Sequence, residues 1–262
     1  MRIAVLLKEV PDTYSDREMN LETGLTDRTG DVVADEVGER AVEAALRIAE
    51  KNEGSVVEIL SVGPDSVAGS IRKGIAMGAS DAYIISDDAL VGADATLTAE
   101  ALAAAIRTRD YDLVVTGNAS SDGGGGVMAS LIGELLDYPS LTNLTELEVE
   151  GAMVRATQAG DGATLSLEAE LPAVVAVSDE FPDARFPNFK GLMAAKKKEL
   201  HTLTLADLGI DAEDWNRARS IVVAISRRPA RERGEIIDGT SRAAAALVDF
   251  LQDKDLLTRS RA

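Results

Sequence analysis

"YDLVVTGNASSDGGGGVMASLIGELL", residues 111–136, runs from a strand through a glycine-rich turn into a helix. The strand covers 111–118, a short apolar run closed by turn residues. The helix covers 127–136. Four adjacent glycines between them are entropically costly, and they leave a backbone that a ligand can approach closely. In an open α/β sheet, ligands bind beyond the carboxyl ends of the strands, where this turn lies. N–H groups at a helix N-terminus hold phosphate through hydrogen bonds and the helix dipole. The candidates for such contacts are Gly117, Asn118, Asp122, Gly123, Gly124, Gly125, Gly126, Val127 and Met128, with the Ser120 and Ser121 hydroxyls beside them. The stretch is neither a Walker A loop nor a G-x-G-x-x-G fingerprint. It also reads as a flexible loop before a helix capped by Asp122.

The same alternation extends toward the N-terminus. Strand-like runs at 2–8, 56–63 and 82–86 are separated by helical patterns over 37–50, Val67–Met77 and Leu97–Arg107. Continuous apolar runs mark strands buried on both faces, and helices of this length between them imply parallel crossovers. The fold class is therefore α/β, with a doubly wound, mostly parallel sheet. The first long helix is amphipathic, with Asp35 as its candidate cap. Asp35, Glu36, Val37 and Gly38 reach the same sheet edge as the glycine run, although any helix has to start somewhere. Leu6 and Val62 end the first two strands and could wall a nucleobase; each also reads as ordinary core.

Beyond residue 140 the texture changes. "LTNLTELEVEG", "AMVRATQ", "ATLSLEAEL" and "AVVAVSD" read as an antiparallel addition to the sheet, with a hairpin turn at 160–162. After Leu205 come a short acidic helix, a strand over 220–226, a basic loop and a last helix after a Ser241 cap. The expected organisation is a nucleotide-binding α/β domain over 1–200 and a C-terminal arm over 201–262, too small to bury its own apolar face.

Composition narrows the function. The 45 Asp plus Glu against 27 Lys plus Arg give a formal net charge of -18. That field repels phosphate backbones, so nucleic acid is not an expected partner. It matches adaptation to high salt, where the Debye length falls to roughly 3 Å. With no cysteine and one histidine, His201, there is no disulfide, iron–sulfur cluster, thiol nucleophile or thiol-ligated zinc. The first apolar run is too short for a signal segment or a membrane span, so the expected location is the cytoplasm. No nucleophile–base pair or metal constellation stands out, and the chain reads as a binder.

"KGLMAAKKKEL", residues 190–200, carries four lysines against one glutamate in this acidic chain. An apolar centre rimmed by like charge suits transient contact with an acidic partner, with charge steering and Leu or Met adhering. It reads equally well as an exposed basic turn.

The chain resembles the electron transfer flavoprotein β subunit over nearly its whole length. The resemblance rests on "AVLLKEVPD", "AVEAALRIAE", "IRKGIAMGASDA", "DLVVTGNASSDG" and, most specifically, "LPAVVAVSDEFPDARFPNFKGLMAAKKKEL" (171–200). It implies an adenine-nucleotide α-hydrolase-like fold and a heterodimer with an α subunit that holds most of the FAD. It also implies a structural AMP at Leu6, 35–38, Val62 and 117–128. Residues 180–200 become a recognition loop for acyl-CoA dehydrogenases, with Phe189, Leu192 and Met193 as apolar contacts and Lys196, Lys197 and Lys198 as the family's lysine cluster. The electron acceptor would be a quinone oxidoreductase. Asp35-Glu36 stands where many relatives have Asn-Pro, Val37 replaces an aromatic, and 124–128 replaces a more polar run. A bifurcating type, with a second FAD and NAD(H), and a stand-alone adenine-nucleotide-using enzyme remain the alternatives.

Overall fold

The computed structural model describes residues 1–234, 236–237 and 239–257. They form two units, Met1–Ile225 and Ser226–Ala262.

The first unit is a nine-stranded sheet with helices on both faces. Its parallel part is built from β1 (Arg2–Leu6), β4 (Val56–Val62), β5 (Asp81–Ile85), β6 (Leu113–Gly117) and β10 (Ala173–Val177). The strand order is β11-β5-β4-β1-β6-β10-β7-β8-β9, where β11 is His201–Leu203. Chain progress runs outward from β1 to β4 and β5, then reverses to β6 on the other side of β1. That reversal opens a crevice at the carboxyl ends of β1 and β6. A separate two-stranded pair, β2 (Glu9–Pro11) with β3 (Val32–Ala34), lies beyond β1.

Helix α1 (Glu36–Lys51) and α2 (Ala68–Met77) cover one face, with Ala41, Ala45, Ile48, Ile71 and Ile75 packed on Ile3, Val5 and Ile59. Helices α3 (Ala95–Arg107) and α4 (Met128–Leu136) cover the other, packing on Leu60, Ile85, Val114 and Val174. Small alanines on α1 and α3 let both helices lie close to a sheet rich in Val and Ile.

The antiparallel addition is real for β7 (Ser140–Glu150), β8 (Met153–Gly160) and β9 (Ala163–Glu170), a meander at one edge. It does not include "AVVAVSD". β10 pairs parallel with both β6 and β7 and is buried along its whole length. A run apolar on both faces belongs inside a parallel sheet, not on a half-solvated meander.

Two further expectations fail. Residues 205–209 form turns rather than a helix, and "SIVVAIS" is neither strand nor helix, Ile221 and Val223 being 81% and 91% exposed. β11 pairs with β5, and the first unit runs to Ile225. In the second unit, α6 (Thr240–Asp253) starts after Gly239; the Ser241 side chain lies outside the described residues.

Candidate functional site

At the crevice, the ends of β1, β4 and β6 and the starts of α1, α3 and α4 enclose a cavity of about 390 Å³. The sequence-predicted residues Leu6, Asp35, Gly38, Val62, Gly117, Asn118, Gly123, Gly125, Gly126, Val127 and Met128 all line it. Glu36, Val37, Asp122 and Gly124 do not. Glu36 faces solvent, and the Val37 backbone packs against Gly117. Gly124 sits at φ +59° and donates its N–H to the Ser120 carbonyl at 3.0 Å.

Three helix N-termini converge here, and they differ in one respect. Asp35 caps α1 by accepting the Gly38 N–H at 3.0 Å, and Asp94 caps α3 by accepting the Leu97 N–H at 2.9 Å. The residue before α4 is Val127, which has no side chain able to cap, so Asp122 does not serve as that cap. The N–H groups of Gly125, Gly126 and Val127 have no acceptor among the described residues. The α4 terminus, with the positive end of its dipole, therefore lies at the cavity without a side-chain cap, and the loop amides just before it are unpaired.

Asp122 is instead the centre of an ion cluster. Its buried carboxylate accepts from Lys8 Nζ at 2.8 Å and from Arg28 Nη2 at 2.6 Å. Burial raises its pKa, but bonds from Lys8, Ser120 and Arg28 outweigh that and hold the carboxyl well below the usual range. Arg17 donates to the Ser121 carbonyl, so the excursion between β2 and β3 is tied to the glycine loop at two points.

Lys8, Ser61, Asp94 and Thr98 also line the cavity and were not picked out from sequence. The signal for Lys8 was its place just past the first strand, at the binding edge. For Asp94 it was a cap residue opening an alanine-rich helix. A larger groove of about 800 Å³, between α1 and the meander, is lined by side chains of both charges.

The basic segment is a helix, not a turn. α5 (Phe189–Lys197) is capped by Asn188, which accepts the Gly191 N–H at 2.8 Å. Phe189 is 79% exposed, and Leu192 and Met193 are exposed beside it. Lys196 and Lys197 are exposed and carry no ion pair among the described residues, whereas Lys198 pairs with Asp81 at 3.1 Å. His201 stacks on Tyr83 and also reaches Asp81, a structural role.

Residues 23–208 match the family model described as "Electron transfer flavoprotein domain". The chain belongs to the electron transfer flavoprotein family. It is 41% identical over 258 residues to an electron transfer flavoprotein subunit beta of Mycobacterium tuberculosis, covering 95% of this chain and 97% of that one. A protein of the same name from Bacillus subtilis is 31% identical, over 97% and 98% of the two chains. An Acetobacterium woodii protein named "Caffeyl-CoA reductase-Etf complex subunit CarD" is 32% identical, over 98% and 100%. As an electron transfer flavoprotein β subunit, the chain implies an α-subunit partner and a role in electron transport. No described helix is long and apolar enough to cross a membrane.

Proposed function

We propose that this chain is the nucleotide-binding, partner-docking half of a cytoplasmic electron carrier. With an FAD-carrying α subunit it accepts electrons from acyl-CoA and related dehydrogenases and passes them to a quinone oxidoreductase. It contributes no catalytic side chain of its own. The observation that carries the nucleotide reading is the uncapped α4 terminus, with unpaired Gly125, Gly126 and Val127 amides at the cavity. Those donors suit the phosphate of a structural AMP. A cavity of about 390 Å³ lies at the low end of the roughly 300–1,000 Å³ of small-molecule sites, the size class of a mononucleotide. Leu6 and Val62 would wall the adenine.

Docking is assigned to α5, with Phe189, Leu192 and Met193 as the adhesive face and Lys196–Lys198 steering an acidic partner. The arm beyond residue 200 carries exposed Ile221, Val223, Leu247 and Phe250, apolar surface that an α subunit would cover.

The resemblance to the caffeyl-CoA reductase-Etf subunit favours a second reading, a bifurcating flavoprotein with a second FAD in this cavity. One experiment separates the two: co-express the chain with its α subunit, purify at high salt, denature, and quantify released nucleotides. One FAD and one AMP per heterodimer supports the carrier. Two FAD without AMP supports the bifurcating type, and no adenine nucleotide beyond one FAD removes the cavity from the account.

A further inference from the structure

The approach to α5 is held more firmly than a surface segment requires. The Arg185 guanidinium donates through Nε to Glu43 Oε2 at 2.6 Å and through Nη2 to Glu43 Oε1 at 3.3 Å and Glu50 Oε2 at 3.2 Å. The Arg185 backbone N–H adds a bond to Glu43 Oε2 at 3.1 Å. Both glutamates belong to α1, and the Glu43 side chain is only 4% exposed. Arg47 accompanies this grip, reaching Glu43 Oε1 at 2.6 Å. One turn earlier, Arg40 binds the Phe181 carbonyl and, at 2.6 Å, Asp183. The face of α1 is therefore a rail along which residues 181–185 are fixed.

Immediately beyond that rail the chain turns outward. Phe186 is 95% exposed and Phe189 is 79% exposed, in a protein with only four phenylalanines. Between them, Pro187 fixes φ and Asn188 caps the helix, so the pair has little backbone freedom once Arg185 is anchored. The far end of α5 is held too: Arg72 donates to the Ala195 carbonyl and, at 2.6 Å, to the Lys198 carbonyl.

We propose that Arg185 is a positioning residue for docking, which by clamping onto Glu43 and Glu50 of α1 presents Phe186 together with Phe189 as a two-pronged anchor. The proposal rests on the docking reading above. The partner surface it fits is an apolar groove with two slots and a carboxylate rim, because the helix that carries Phe189 also carries exposed Lys190, Lys196 and Lys197 in a chain whose net charge is -18. Arginine suits this task because its planar fork engages two carboxylates at once, which a lysine cannot reproduce. A pre-set anchor lowers the ordering cost of association.

The test uses the α/β heterodimer with its flavin, and as electron donor a purified acyl-CoA dehydrogenase that reduces the wild-type heterodimer. Arg185→Gln should raise the KM for the heterodimer about ten-fold with the limiting rate within about two-fold, the signature of lost binding. Arg185→Lys should recover part of that loss. Phe186→Ala should raise KM as Phe189→Ala does. Flavin content and melting midpoint are measured alongside. If Arg185→Gln loses its flavin or fails to fold, Glu50→Gln decides: it loosens the clamp from the exposed side and should raise KM about three-fold. Unchanged KM in the Arg185, Glu50 and Phe186 variants, with a raised KM in Phe189→Ala, overturns the proposal and leaves docking by α5 intact. Unchanged KM in all of them removes both.

Discussion

Asp35 and Ser121 are joined across the mouth of the cavity: the Ser121 N–H donates to Asp35 Oδ1 at 2.9 Å while Oδ2 caps α1 at Gly38. One buried carboxylate thus sets the start of a helix and the path of the glycine loop. Asp35→Ala should remove both bonds and cost about 2–3 kcal/mol, since a lost cap alone costs roughly 1. Asp35→Asn keeps one acceptor and should cost about half as much. Urea unfolding midpoints of the two variants check the order, and the Ala variant should retain less nucleotide.

Gly117 lies where β6 meets the first turn of α1. A Cβ there would sit 3.0 Å from the Val37 carbonyl carbon and 3.1 Å from the Gly38 nitrogen, backbone atoms that cannot swing aside. Gly117→Ala should therefore push α1 away from the sheet edge and cost about 1–3 kcal/mol. Chemical denaturation measures the loss, and nucleotide release after denaturation should show reduced occupancy.

Gly191 allows α5 to touch α2. A Cβ at Gly191 would stand only 2.3 Å from the Ala76 carbonyl oxygen. Gly191→Ala should displace α5 while leaving the sheet whole. Reduction of the heterodimer by a dehydrogenase should slow, with far-UV circular dichroism unchanged. Gly30→Ala, whose Cβ would meet nothing within 4 Å, is the matched control.

The Asp122 cluster predicts a pH dependence. The folded carboxyl titrates below its unfolded value of about 3.9, so its stabilising effect is complete above that value and fades as pH falls toward the folded pKa. Asp122→Asn should be less stable than wild type at pH 7. The two melting curves should converge in strong acid, where the wild-type carboxyl is also protonated. A gap that stays constant down to pH 2 would contradict the ion-pair account.

Much of this arrangement was legible in the chain. Short apolar runs alternating with helical patterns located β1, β4, β5 and β6, and the glycine run marked the crevice because phosphate chemistry and sheet topology point to the same edge. Asp35 was identifiable as a cap from its position alone. Two misreadings share a cause. "AVVAVSD" was grouped with its sequence neighbours, yet its unbroken apolar character already matched an interior parallel strand. "SIVVAIS" has the composition of a strand, but a strand forms only by pairing, and this run pairs with neither edge of the sheet, β11 or β9. Lys8 and Asp94 carried local signals, but the partners that tie them into the fold, Asp122 and Ser220, lie 114 and 126 residues away, as Glu43 lies 142 residues from Arg185. No local pattern encodes such distances.

The stretch bearing α5 leaves the sheet at β10 and rejoins it at β11, with four strands between them in the order β11-β5-β4-β1-β6-β10. Both ends are fixed by parallel pairing, and the intervening helix rests on α2 through Gly191 and Arg72. Its outward positions, Phe186, Phe189, Leu192 and Met193, contribute nothing to the core. Residues 178–200 thus have the character of an exchangeable cassette. On the docking role proposed above, altering these four surface side chains would change which partner the carrier accepts without disturbing the cavity or the sheet beneath it.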